Sequence, residues 1–338
     1  MNCWWNKRGD IMSKAEKRGN LIIVLLVMLL LGIGIALVIP KPKNEFVHVG
    51  IAIYNMEDEY MADMVYQLED EIRNYDFRGK KVVFEVLDAK NNANTQEKQL
   101  QYLLSGNFDV LVVNMVKPTS AANILNRAVS DNIPVILFNR ETDERDMIIS
   151  NNVWYVGTDG YMAGVIQGKM IKDAWEDAYC DIDKNNNGTI DYILVEGEAT
   201  HFDTISRTNG FLETVKDLKM NQIATLSADW NRKDAYEKLA ELDSEIIEDI
   251  EVVVCNNDDM ALGVLDYFSD NHREFPLIVG INNRSEVNKQ IKNGSIYGTV
   301  DNNVKSQISR ICSLLNDIMN GETGNQKQVW YSEPFGIK

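Results

Sequence analysis

Counting from Asp183, the segment DIDKNNNGTID places oxygen-bearing side chains at alternate positions: Asp183, Asn185, Asn187, Thr189 and Asp191, with Gly188 between. This is how a helix–loop–helix calcium loop opens: ligands at positions 1, 3, 5, 7 and 9, Gly at 6 for the turn, and a bidentate Glu at 12. Here the twelfth residue is Leu194, and YILVEG after Asp191 reads as a buried strand and not as an exit helix. Two readings stay open on these residues. One is a polar turn joining a helix to a strand, because Asn and Gly both tolerate left-handed backbone. The other is a metal loop whose last carboxylate arrives from elsewhere in the fold.

A second group of reactive types is spread along the chain. Asp58 and Tyr60 follow the first apolar run, and Asn139, Arg140 and Glu141 follow IPVILF. His201, Asp203 and Arg207 follow VEGEAT, Trp230 follows TLSAD, and Asn257, Asn282 and Asn302 stand just past three later apolar runs. Singly, each is a helix cap or a turn residue. Repeated at five or six strand ends, planar hydrogen-bonding groups suit a guest made of hydroxyls. Carboxylates take a hydroxyl's proton, while amides and guanidinium give one to its oxygen. Aromatic rings cover the apolar C–H faces of a sugar.

The elements carrying these groups alternate. FVHVGIAIY, KVVFEVLDA, FDVLVVNMV and IPVILFN read as strands, separated by helices over 60–74, 95–105 and 119–130. The alternation then repeats with a helix from Tyr161, DYILVEG, a helix over 206–219, QIATLSA, a helix over 231–243, EVVVCNN, a helix over 259–270, PLIVGI, a helix over 285–292, GSIYGTVDN and a last helix over 304–320. This β-α-β order predicts an α/β fold of two doubly wound parallel-sheet lobes. Ligands of such sheets sit beyond the carboxyl ends of the strands, so a cleft between two lobes collects strand ends from both.

The chain has 338 residues with 34 basic and 51 acidic side chains, a formal charge of −17, which argues against nucleic acid as a partner. Residues 21–39, LIIVLLVMLLLGIGIALVI, carry no charge. As a helix they span about 28 Å, close to a bilayer's hydrocarbon thickness. Lys7, Arg8, Lys14, Lys17 and Arg18 precede this run, so the basic flank is expected in the cytoplasm and residue 40 onward outside. A cleaved signal peptide is the alternative, which would give a secreted or periplasmic protein, but its apolar region is normally shorter and no A-x-A-like site follows. Cys3, Cys180, Cys255 and Cys312 have no motif spacing, and buried or free thiols are expected.

The stretches VGIAIYNMEDEYM, VILFNRET, WYVGTDGYMAGVIQG, DKNNNGTIDYILVEGEATHFDTISRT, VVVCNNDDMALG and GTVDNN together resemble the galactose/glucose-binding periplasmic proteins, along almost all of residues 46–338. The resemblance implies sugar contacts from Asp58, Tyr60 (where Phe is usual), Asn139, His201, Asp203, Arg207, Trp230, Asn257 and Asn302. Asn282 stands where the family has Asp, which weakens one charge-assisted hydrogen bond to a sugar hydroxyl. It also implies a structural Ca2+ held by Asp183, Asn185, Asn187, the Thr189 carbonyl and Asp191, and completed by a bidentate Glu251 from a distant strand. Leu194 then presents no difficulty, since the twelfth position never belonged to the site.

The expected organisation is a cytoplasmic terminus (1–20), a membrane anchor (21–39), a stalk (40–45), a first lobe of 46–157 with 304–325, and a second of 158–303 with 326–338. Hinge crossings are expected near 157–159, 301–304 and 324–327. The resemblance implies a binding protein that closes on a monosaccharide and hands it to an ABC importer permease. The alternative partner is a membrane histidine kinase or chemoreceptor, served by a fixed sensor. An enzyme would need a carboxylate pair such as Asp58, Asp203 or Glu141, yet the strand ends are rich in amides and no sequence feature marks a raised pKa. A two-lobed DNA-binding regulator would need a headpiece where the apolar segment lies.

Overall fold

The computed structural model describes residues 46–338 apart from residues 179 and 181. The expected terminus, anchor and stalk of residues 1–45 lie outside the described residues. Among the described residues no helix is long and apolar enough to cross a membrane.

The first lobe starts with β1 (Phe46–Ile53), whose run VGIAI is buried throughout because both faces of its sheet are covered. It continues through α1 (Glu59–Asn74), β2 (Lys81–Asp88), α2 (Ala93–Ser105), β3 (Val110–Val113), α3 (Ala121–Ser130), β4 (Val135–Phe138), the short α4 (Glu144–Met147) and β5 (Val153–Thr158). The second lobe holds α5 (Gly160–Glu176), β6 (Ile190–Glu196), α6 (Phe202–Val215), β7 (Met220–Ser227), α7 (Arg232–Ala240), α8 (Ser244–Glu248), β8 (Val252–Cys255), α9 (Asp258–Asp270), β9 (Leu277–Ile281), α10 (Ser285–Lys292) and β10 (Gly298–Asp301). The chain then returns to the first lobe for α11 (Val304–Asn320) and β11 (Val329–Ser332), and ends in the second with β12 (Phe335–Ile337). The strand orders are β11-β5-β4-β3-β1-β2 and β12-β10-β9-β8-β6-β7. Every pairing is parallel except β10 with β12.

One expected boundary is corrected. The third crossing falls between Ser332 and Phe335, not at 324–327. The run VWYS pairs in parallel with β5, from Val329 opposite Tyr155 to Ser332 opposite Thr158, so residues 326–332 belong with the first lobe. Pro334 then ends the strand, because proline cannot donate to a ladder.

The three crossings are laced together. Thr158 Oγ1 donates to the Asn302 carbonyl at 2.9 Å and lies 3.0 Å from Ser332 Oγ, which itself reaches that carbonyl at 2.8 Å. Gln307 Nε2 donates to Thr158 Oγ1 and to the Asn302 carbonyl, both at 2.8 Å. One buried residue from each crossing thus shares a single network. This ties the three crossings together at one line.

Helices α5 and α6 touch backbone to backbone. A Cβ on Gly164 would come within 1.9 Å of the Arg207 carbonyl oxygen, so only glycine allows the approach. That contact fixes α6, which begins at residue 202 and not at 206 as its pattern suggests. Asp203 and Arg207 therefore stand one turn apart on one buried face.

Candidate functional site

Three of the expected site residues are also the caps of the helices that follow their strands. Asp58 Oδ1 accepts the Met61 N–H at 3.0 Å, His201 Nδ1 accepts the Asp203 N–H at 3.1 Å and Asn257 Oδ1 accepts the Met260 N–H at 2.9 Å. Capping and recognition are not alternatives here. Each cap uses one polar atom on the helix and has a second to spare: Asp58 Oδ2 accepts the Tyr54 hydroxyl, His201 Nε2 meets Arg140 at 3.1 Å, and Asn257 Nδ2 donates to the Trp230 carbonyl at 3.0 Å.

Asp58, Tyr60 and Asn139 from the first lobe line one pocket together with His201, Asp203, Arg207, Trp230, Asn257 and Asn282 from the second. Asn302 stands behind it, donating to Asn282 Oδ1 at 2.8 Å and approaching the Tyr60 hydroxyl at 3.5 Å. All ten expected residues are thus brought together. Tyr54 and Arg140 also line the pocket and were not among them. Both occur in the strand-end runs, but a cation one residue past Asn139 carries no spacing signal that singles it out.

Several of these residues occupy costly backbone. Asn139 (φ 61°), Trp230 (φ 68°) and Asn282 (φ 128°) lie at positive φ, which a bulky side chain such as Trp rarely adopts. Trp230 is held there by packing: its ring fills the space a Cβ on Gly197 would need, at 2.2 Å. Its indole lies 5.4 Å from the Arg207 guanidinium carbon and 5.3 Å, edge to face, from the His201 ring.

Arg207 is almost wholly buried. Nη2 donates to Asp203 Oδ2 at 3.1 Å and Nη1 to the Asn256 carbonyl at 2.7 Å, whereas Nε has no partner within the protein. Asn302 Oδ1 is likewise buried and unpaired. Burial pushes the His201 imidazole down to about 4, with the nearby Asp203 opposing and Arg140 reinforcing, so the ring is neutral at neutral pH. Outside the inner pocket the cleft widens into a mouth bearing Glu57, Glu59, Glu198, Asp229, Asp234 and Asp259.

One carboxylate has a raised pKa that no sequence feature marked. Burial raises Glu141 to about 7, helped by the charges of Asp203 and Asp159 and opposed by a 2.8 Å hydrogen bond from Tyr331 Oη. This group does not line the inner pocket, so it is no partner for Asp58 or Asp203 in glycoside cleavage. Its ordinary value is 4.5, so the native state holds an extra proton between about pH 4.5 and 7, and Glu141 costs stability progressively as pH rises through that window. The Glu141→Gln variant should therefore gain on the parent by about 2 kcal/mol between pH 5 and 8, measured by urea unfolding across that range. A constant difference would contradict this.

The second constellation lies in the second lobe, where residues 183–191 lead into β6. Residues 183–191 form a tight loop that turns through Asn186 (φ 55°) and Gly188 (φ 76°). Asp183 accepts the Asn187 and Gly188 N–H groups at 3.0 and 2.8 Å, and Asn187 Oδ1 accepts the Thr189 N–H at 2.7 Å. Glu251 immediately precedes β8, which pairs with β6, and its N–H donates to the Asp191 carbonyl at 2.9 Å. That register brings the Glu251 carboxylate to the loop, where it accepts from the Asn185 and Asp191 N–H groups at 3.3 and 2.8 Å. Asp191 Oδ1 also accepts from Asn221 at 2.7 Å, a neighbour that sequence reasoning missed. Burial, and then the charges of Asp183 and Asp191, raise the Glu251 pKa. Among the described residues no three His, Cys, Asp or Glu side chains converge as ligands by themselves, so a cation here would depend on the amide and carbonyl oxygens as well.

Residues 49–323 match the family described as periplasmic binding protein domain. The D-galactose/methyl-galactoside binding periplasmic protein MglB of Haemophilus influenzae is 32% identical over 285 residues, 83% of this chain and 84% of that protein. An ABC transporter solute binding protein of Bacillus halodurans, solved with bound myo-inositol, superposes with a TM-score of 0.73 at 22% identity, covering 88% of this chain and 96% of that one. The fructose binding periplasmic domain of a hybrid two component system gives 0.70 at 19% identity, covering 86% and 90%. These relatives are solute-binding proteins and not enzymes, and the chain belongs to the periplasmic binding protein family.

Proposed function

We propose that this chain binds a neutral monosaccharide of the galactose/glucose class between its two lobes and delivers it to an ABC importer. The observation that carries the reading is the convergence of nine expected polar and aromatic groups from both lobes on one pocket. The likeness to the galactose/methyl-galactoside binding protein supports the sugar class. Buried donors and acceptors without protein partners, Arg207 Nε and Asn302 Oδ1, are what a hydroxyl would satisfy. The acidic mouth repels sugar phosphates and so favours an uncharged guest.

Closure follows from bridging. A guest held by Asp58 and Asn139 on one side and by Asp203, Arg207 and Asn257 on the other binds the closed state better than the open one. It shifts the equilibrium by that difference alone. Asn282 already gives its oxygen to Asn302, so it offers the guest an N–H where the family carboxylate would accept. Epimer preference is therefore expected to differ from that of the relatives.

A structural Ca2+ is part of the proposal. Asp183, Asn185, Asn187, the Thr189 carbonyl and Asp191 would hold it, with Glu251 as the bidentate ligand. The donor set fits because it is all oxygen and carries three carboxylates. The apolar run 21–39 would anchor the domain outside the cytoplasmic membrane. Such tethering also favours a second reading, a fixed sensor reporting to a histidine kinase or chemoreceptor. Small-angle scattering of the full-length chain should show contraction on adding galactose or glucose, and no contraction with any monosaccharide would contradict the proposal. Co-purification from membranes separates the two roles: a permease supports import, a kinase sensing.

A further inference from the structure

Arg140 leaves the end of β4 in the first lobe, yet its guanidinium is spent on the second. Only 4% of the residue is exposed. Nη2 donates to Glu198 Oε1 at 2.8 Å and Nε reaches His201 Nε2 at 3.1 Å, while the guanidinium carbon sits 4.4 Å from the centre of the Tyr54 ring. Nη1 is buried and has no partner. A charged donor is expensive to leave in that condition.

A second conflict lies beside it. His201 is drawn on as an acceptor at both nitrogens, by the Asp203 backbone N–H at Nδ1 and by Arg140 at Nε2. A neutral imidazole has one acceptor nitrogen. If His201 caps α6, its proton is on Nε2 and points at another donor. An acceptor oxygen held by the unpaired Nη1 would satisfy the guanidinium, and by drawing Nε off the ring it would leave the imidazole Nε2–H free to donate to the same oxygen.

We propose that Arg140 is a direct ligand contact, donating to the same sugar oxygen as His201, and that its bond to Glu198 fastens the closed cleft over that oxygen. This rests on the monosaccharide reading. It adds a cation supplied by the first lobe to a set whose other cation, Arg207, comes from the second. Arg140 thereby couples guest recognition to the lobe contact, since its three groups of partners (guest, His201 and Glu198) are available together only when the cleft is shut.

The test is calorimetric titration of the full-length chain and of Arg140→Met, Arg140→Lys and Glu198→Gln with galactose, glucose and their monodeoxy analogues. Arg140→Met is expected to bind about thirtyfold more weakly. Arg140→Lys should fall between it and the parent, because it keeps the charge but lacks the planar fork that reaches Glu198 and the guest from separate nitrogens. Glu198→Gln should lose about threefold. One deoxy sugar should bind the parent weakly and lose nothing further in Arg140→Met, identifying the shared oxygen. Melting curves of Arg140→Met and Arg140→Lys that match the parent's exclude a folding defect. Parent-like binding by Arg140→Met, or an equal loss for every deoxy sugar, would overturn the contact while leaving the sugar reading intact. Failure of the parent chain itself to bind would overturn both.

Discussion

Replacing Asp203 with alanine is expected to weaken sugar binding by two to three orders of magnitude. The carboxylate belongs to the buried side of α6, its side chain 11% exposed, and it is the partner of an Arg207 side chain only 6% exposed. Breaking a buried pair by removing one member costs about 3–5 kcal/mol, because the surviving charge stays desolvated. At about 1.4 kcal/mol per tenfold, that is the stated loss. Part of it would appear as lost stability, so Asp203→Asn is the informative companion. It keeps an acceptor for Arg207 but halves what a guest can bond, and should bind about tenfold more weakly with a melting temperature near the parent's. Calorimetry and thermal melting on both variants check this; parent-like affinity in Asp203→Ala would contradict the placement of the guest.

Chelation of divalent cations is expected to lower the melting temperature by roughly 10 °C. A ligand present at about a thousand times its dissociation constant stabilises by about 4 kcal/mol. In a domain of this size each kilocalorie is worth about 2–4 °C. The mechanism is local to the loop. The charges of Asp183 and Asp191 act on the buried Glu251 across the β6–β8 pairing, and the proposed divalent cation would relieve that repulsion. The Glu251→Gln variant should melt low and be insensitive to both chelator and added Ca2+. Equal melting of the parent with and without chelator would contradict the metal proposal while leaving the sugar site untouched.

Much of the fold was legible because its signals are local. Apolar runs of four to eight residues closed by Asn or Asp marked β1, β3, β4, β8 and β9, and residues just past all of these but β3 line the pocket. What escaped lacked such a signal. VWYS follows a polar stretch and was expected with the second lobe as part of 326–338; it joins the first because β5, some 170 residues earlier, offers an open edge. The start of α6 was placed four residues late because histidine is an uncommon cap, and that cap is what lifts Asp203 into the site. The loop at 183–191 was readable as a cation motif, but its own spacing did not point to Glu251; that expectation came from the family resemblance, and the β6–β8 register is what connects Glu251 to Asp191. Arg140 was invisible for the opposite reason. Its residue type was in plain view, and its importance lies in partners 58 and 61 positions away on the other lobe.

The proposed function requires that two hinged lobes close on one uncharged sugar. Titration of the full-length chain with galactose, glucose and ribose, in excess Ca2+ and again in chelator, tests it most directly. The expected result is one site per chain, saturated by galactose or glucose at micromolar or lower concentration, with ribose weaker and affinity reduced in chelator. Absence of heat with every monosaccharide at millimolar concentration, in a folded chain with Ca2+ present, would contradict it.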